Sequence, residues 1–144
     1  MEYSLTLFKS IFDNKTQKRM DFTSYAQFEH LLFELAQQKR KDKKSAPLIS
    51  PAIYVEDTTR ANDNVICWAG WCAVDVDEHV FVGDLEKELI EHYGNYNHVV
   101  YSTASSTKEH PKFRIVFPLS KYVPKKSIKH FWYALNKELG DVGD

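Results

Sequence analysis

Residues 65–77 read VICWAGWCAVDVD, an apolar run broken once by a small-residue pair and closed by two aspartates. β-Branched and aromatic side chains dominate it, and these suit a pleated, half-buried surface. The pair Ala69-Gly70 allows two geometries, a hairpin folding the run onto itself or one long bulged strand. In both, side chains alternate between faces, so Asp75 and Asp77 point one way while Val74 and Val76 point the other.

Working outward, residues 3–12 (YSLTLFKSIF) mix β-formers and predict an opening strand, followed by a polar loop over residues 13–18. Thr23 or Ser24 is placed to cap a helix whose apolar face is Phe28, Leu31, Leu32, Leu35 and Ala36. That helix runs into QQKRKDKKS, cations suited to a helix C-terminus and a solvated loop. APLISPAIYVED predicts a short strand punctuated by Pro47 and Pro51, and TTRANDN a loop. Beyond the central run, residues 84–93 (DLEKELIEHY) predict a short amphipathic helix that Gly94 ends. NHVVYST and FRIVFPLS predict two strands. VPKKSIKHFWYALNKELG predicts a last helix, with Pro124 near its start and Ile128, Phe131, Trp132, Leu135 and Leu139 along one stripe. The order is strand, helix, strands, helix, strand, strand, helix. It predicts an α+β fold, with an antiparallel or mixed sheet and helices packed on one side.

The chain of 144 residues predicts a single domain able to bury a real core. No run of 18 apolar residues and no charged-then-apolar leader is present, which predicts a soluble, cytoplasmic protein. The net charge of −1 hides a division: nine Lys/Arg against six Asp/Glu over residues 1–50, three against eleven over 51–110, and seven against three over 111–144. An acidic middle between basic flanks suits a cation site beside a surface that meets phosphates. Cys67 and Cys72 lack nearby histidines and are too few for a structural zinc site, so they read as buried free thiols, a disulfide across a tight Ala69-Gly70 hairpin being the lesser alternative.

Asp75 and Asp77, about 6.5–7 Å apart along one face of a strand, can share a cation or bracket a metal pair. Oxygen-only ligation favours Mg²⁺ or Mn²⁺ over zinc. An edge strand with both aspartates in water accounts for the same pattern without any ligand. Downstream, YSTASSTKEHPKFRIVFPLS (residues 101–120) separates two strands with a hydroxyl-rich loop. In a turn, Ser102, Thr103, Ser105, Ser106 and Thr107 offer hydroxyls and backbone N–H groups of the kind that hold phosphate oxygens. Lys112 and Arg114 add charge, Arg114 with a fork suited to phosphate. A plain Ser/Thr-rich turn is the alternative.

Taken in order, TRANDNV, the run ending VDVD, a helix, and then VVYSTASSTKEHPKFRIVFPLS resemble the archaeo-eukaryotic primase superfamily, in particular the primase-polymerase domains of phage and plasmid replication proteins. The resemblance spans roughly residues 55–144. It implies an RNA-recognition-like sheet, catalytic divalent metals on Asp75 and Asp77, and nucleotide phosphates held by Ser105 and Ser106 with Lys112 and Arg114 behind them. The family's histidine directly after the serine is replaced here by Ser106, and the nearest histidine is His110. The family's third acidic ligand aligns with Asp144, with Asp141 as the alternative, so the resemblance also predicts a core truncated at its C-terminal end or a reduced, separately encoded unit.

The function expected on these grounds is a DNA primase/polymerase-type nucleotidyltransferase of phage or plasmid replication in a bacterial host. Its catalytic and metal-binding residues are Asp75, Asp77 and Asp144, and its nucleotide-binding residues are Ser105, Ser106, His110, Lys112 and Arg114. Mg²⁺ or Mn²⁺ is the expected cofactor. Single-stranded DNA template and nucleoside triphosphates are the expected partners, a replicative helicase is a further one, and no membrane is involved. Arg40, Lys125, Lys126 and Lys129 are expected template contacts. Two rivals share these residues: a noncatalytic nucleic-acid-binding replication module and a metal-dependent nuclease.

Overall fold

The computed structural model describes residues 2–15, 18–37, 47–77, 87, 91, 97–103, 105–140 and 143. The chain opens with strand β1 (Tyr3–Phe8), which pairs antiparallel with β2 (Arg19–Phe22) and, on its other edge, with β3 (Leu48–Ser50). β1 stops four residues short of the predicted end because local side chains capture the backbone. Asp13 accepts hydrogen bonds from the N–H groups of Lys9 and Lys15, and Ser10 accepts one from Phe12, a competition that favours turns over sheet.

Helix α1 (Tyr25–Gln37) begins where the sequence predicts. Ser24 Oγ accepts from the Gln27 N–H while the Gln27 side chain reaches back to the Thr23 N–H, a reciprocal arrangement close to a capping box. Phe28 and Leu32 are its buried residues.

The central run is neither a hairpin nor one long bulged strand. Its first half is β5 (Val65–Trp68), which lies between β4 (Ala52–Tyr54) and β9 (Val123–Pro124) in a second sheet. Its second half is β6 (Trp71–Val76), which belongs to a third sheet of order β6–β8–β7 with β7 (Val99–Ser102) and β8 (Phe113–Pro118). Gly70, with φ of 90°, turns the chain from one sheet into the other, a conformation open to glycine at little cost. The junction is bonded into the rest of the fold. Ser4 N–H donates to Ala69 O, Ala69 N–H to Pro51 O, and Leu119 N–H to Gly70 O. All strand pairings among the described residues are antiparallel.

The last helix, α2 (Lys125–Glu138), starts directly after Pro124. Of the helix predicted over 84–93, Lys87 and Glu91 are helical and the remainder lies outside the described residues. The fold is α+β. The two long helices serve opposite faces of the β6–β8–β7 sheet, whereas the sequence predicts helices on one side. On one face Cys72, Val74, Val76, Phe113, Ile115 and Phe117 pack with Leu139 and with Phe131 and Leu135 of α2. On the other, Trp71, Val99 and Val116 pack with Leu5 of β1 and with Phe28 and Leu32 of α1. The difference arises because the N-terminal sheet and α1 fold back over the second face and bury its apolar end.

Both cysteines are free. Burial pushes the Cys72 thiol up to about 12, and burial likewise raises that of the half-buried Cys67. No helix among the described residues is long and apolar enough to cross a membrane.

Asp21 on β2 gives a pH signature. The Ser4 hydroxyl, then Arg19, hold its carboxyl below the ordinary 3.8. A depressed carboxyl contributes stability that is present above the unfolded value and is lost as pH falls through the lower folded value. With side chains 50% and 56% exposed, the Arg19–Asp21 pair is worth under about 1 kcal/mol. Asp21→Asn is therefore expected to be slightly less stable than wild type at neutral pH, the gap closing below pH 3.8. Urea midpoints of the two proteins across that range check it, and a gap that widens in acid would contradict it.

Candidate functional site

The β6–β8–β7 sheet brings three polar side chains into one row. Its register sets Asp75 of β6 opposite Arg114 of β8, and Arg114 opposite Tyr101 of β7. Arg114 Nε donates to Asp75 Oδ1 at 2.5 Å and Nη2 to Oδ2 at 3.1 Å, so the guanidinium grips the carboxylate with both prongs of its fork. Nη1 donates to the Tyr101 hydroxyl at 3.3 Å. Burial opposes the Arg114 charge, and the hydrogen bonds to Asp75, with Tyr101 and the Asp75 charge, outweigh it, so the guanidinium's pKa is raised. Burial raises that of Tyr101, partly offset by Arg114.

This row lies on the face that also carries Trp71, Ala73, Val99 and Val116, at the end away from Trp71. The Asp75 side chain is 41% exposed and that of Arg114 22%. The carboxylate is thus reachable from solvent while its partner is largely covered.

Beyond Val76 and Phe113 the next positions along the register are Asp77 and Lys112, and here the hydroxyl-rich loop closes. Thr103 N–H donates to Lys112 O at 3.0 Å and Lys112 N–H to Ser106 Oγ at 2.8 Å. Ser106 N–H donates to Thr103 O, Thr107 N–H to His110 O, and His110 N–H to Thr107 Oγ1. His110 Nε2 lies 2.8 Å from the backbone carbonyl of Asp77, to which its N–H donates, tying the loop to the end of β6. The sequence reading expects exposed backbone donors in this loop. Those of Ser106, Thr107, His110 and Lys112 are instead committed within it. The exposed Ser105, the hydroxyl hydrogen of Ser106 and the side chain of Lys112 remain as groups that can meet a phosphate, whereas the expected nucleotide ligand His110 spends its ring N–H on the Asp77 carbonyl.

Asp75, Asp77, Ser105, Ser106, His110, Lys112 and Arg114 therefore converge on one end of one sheet. Asp144, Asp141 and Arg40 lie outside the described residues. Lys125 Nζ donates to Asp63 O, and Lys126 and Lys129 are exposed on α2. That helix packs on the sheet face opposite Asp75, which separates these lysines from the row.

Two carboxylates at this end suit a hard divalent cation in ligand chemistry, and the Arg114 fork leaves each Asp75 oxygen a second lone pair. Among the described residues no group of three His, Cys, Asp or Glu is assembled to hold a metal. Arg114 already neutralises the Asp75 carboxylate that a cation would use.

Tyr101 is the site residue that sequence reasoning missed. Its signal is a matter of counting: once Thr103 and Lys112 close the hairpin, antiparallel pairing sets residue 101 opposite 114. No protein-family model matches the chain, and no characterised relative and no solved structure matches it.

Proposed function

We propose that the chain is a nucleotidyltransferase domain of the primase-polymerase type, acting on nucleoside triphosphates and a single-stranded DNA template. The observation that carries this reading is the convergence of Asp75 and Asp77 with the Ser105–Ser106 loop, Lys112 and Arg114 on one sheet end, from segments some 30 residues apart in sequence. In the reaction a 3′-hydroxyl oxygen, its proton passing to water, attacks the α-phosphorus of the incoming nucleotide, and the bond to pyrophosphate breaks as pyrophosphate leaves. Mg²⁺ or Mn²⁺ held at Asp75 and Asp77 would supply charge neutralisation at the α-phosphate and activation of the attacking hydroxyl. The chain's own part is placement. Lys112 and Arg114 hold phosphate oxygens by charge, Ser105 and Ser106 donate hydroxyl hydrogens, and the His110 link keeps the loop registered against β6.

The bidentate Asp75–Arg114 pair favours a second reading, a noncatalytic nucleic-acid-binding replication module, because it supplies Asp75 with a counter-charge from within the chain. The test is incubation with labelled nucleotides, Mn²⁺ and a primed single-stranded template. Extended products that vanish in Asp75→Asn and Asp77→Asn are expected. Template binding without extension would select the second reading, and shortened strands would assign a metal-dependent nuclease.

A further inference from the structure

We propose that Arg114 is a positioning residue that makes cation binding at Asp75 conditional on a nucleoside triphosphate, its guanidinium leaving the carboxylate for a phosphate when the nucleotide arrives. This rests on the nucleotidyltransferase reading above and assigns a mode of regulation to the same site.

Three features of the row carry it. The guanidinium occupies both Asp75 oxygens, at 2.5 and 3.1 Å, so a divalent cation approaching that carboxylate meets a fixed positive charge beside it. A third hydrogen bond, from Nη1 to the Tyr101 hydroxyl at 3.3 Å, holds the guanidinium at a further corner. Of the five N–H donors of the guanidinium, three are engaged in these bonds, and the two left can receive a phosphate oxygen before the carboxylate is released. Lys112, two residues along the same strand end, and Ser106, whose Oγ accepts from the Lys112 N–H, mark the side from which a triphosphate would arrive.

The charge balance then works as an exchange. Without nucleotide, Asp75 is neutralised by Arg114 and has little call on a cation. A triphosphate, with several negative charges, draws the guanidinium and leaves the carboxylate to the metal. Thermodynamic linkage requires the converse, that metal strengthens nucleotide binding by the same factor. Tyr101 sets how firmly the first arrangement is held.

Mn²⁺ binding to the whole chain, read by electron paramagnetic resonance with and without α,β-methylene-dATP and corrected for ion held by the nucleotide in buffer, tests this without any turnover. Wild type is expected to bind Mn²⁺ more tightly with the nucleotide, by about the 5- to 150-fold typical of coupled sites. Arg114→Gln is expected to bind Mn²⁺ more tightly than wild type in the absence of nucleotide and to lose most of the coupling, while Tyr101→Phe shifts the same way by less. Wild-type coupling close to one overturns the proposal whether or not the variants fold. Equal coupling in wild type and Arg114→Gln also overturns it and leaves the nucleotidyltransferase reading intact. Failure of wild type and Arg114→Gln to bind Mn²⁺ under any condition overturns both.

Discussion

Replacing Trp71 by alanine is expected to destabilise the protein by about 3–5 kcal/mol, the usual cost of emptying a buried aromatic site. Trp71 is 1% exposed at the start of β6. Its ring lies 4.9 Å from that of Phe28 on α1, and its Nε1 donates to Ser4 O on β1 at 2.8 Å. One side chain thus joins the third sheet, the first sheet and the helix between them. Against a total stability of about 5–15 kcal/mol for an ordinary domain, the loss is a large fraction. Trp71→Phe keeps most of the packing, gives up the hydrogen bond and leaves the Ser4 carbonyl without it, so a loss nearer 1–3 kcal/mol is expected. Urea unfolding followed by far-UV circular dichroism checks both. A Trp71→Ala protein within about 1 kcal/mol of wild type would show that this face collapses around the gap.

The second large effect concerns the Asp75–Arg114 pair. Asp75→Ala leaves Arg114, 22% exposed, without its carboxylate, and a loss of about 1–3 kcal/mol is expected, between the values for surface and fully buried pairs. Arg114→Met is expected to cost less, because the stranded Asp75 is 41% exposed and water can solvate it. The double variant should be more stable than the sum of the two losses predicts, since neither charge is left behind. A double-mutant cycle measures that difference directly. Strict additivity would mean that the pair contributes no net stability, in which case only the Tyr101 hydrogen bond holds Arg114 in place.

How far these features could be read from the sequence depends on the range of the interaction. The Ser24 cap, the apolar stripes of α1 and α2 and the start of β8 at Phe113 follow from patterns over a few residues. The Asp75–Arg114 contact spans 39 residues, and it depends on the strand order β6–β8–β7, which no local pattern encodes. The residues of the candidate site were therefore legible as types, two carboxylates and two cations, while their pairing with one another was not. The sheet change at Gly70 was hidden for the same reason. A small-residue pair between two apolar runs suggests a hairpin or one long bulged strand, and the passage between two sheets that replaces both is fixed by bonds from distant segments, those of Ser4, Ala69 and Leu119. The early end of β1 was missed because the capture of the backbone by Ser10 and Asp13 outweighs the β-propensity of Ile11 and Phe12.

The junction at Ala69 and Gly70 also bears on how the molecule can come apart. Each of its backbone bonds ends on a different segment: the first strand, the link between β3 and β4, and the link between β8 and β9. Peeling away β1, or the β4 edge, or the end of β8 each breaks a bond at the same two residues. Opening confined to one sheet therefore disturbs the point where the others are fastened, and amide exchange at Ser4, Ala69 and Leu119 is expected to share one protection level.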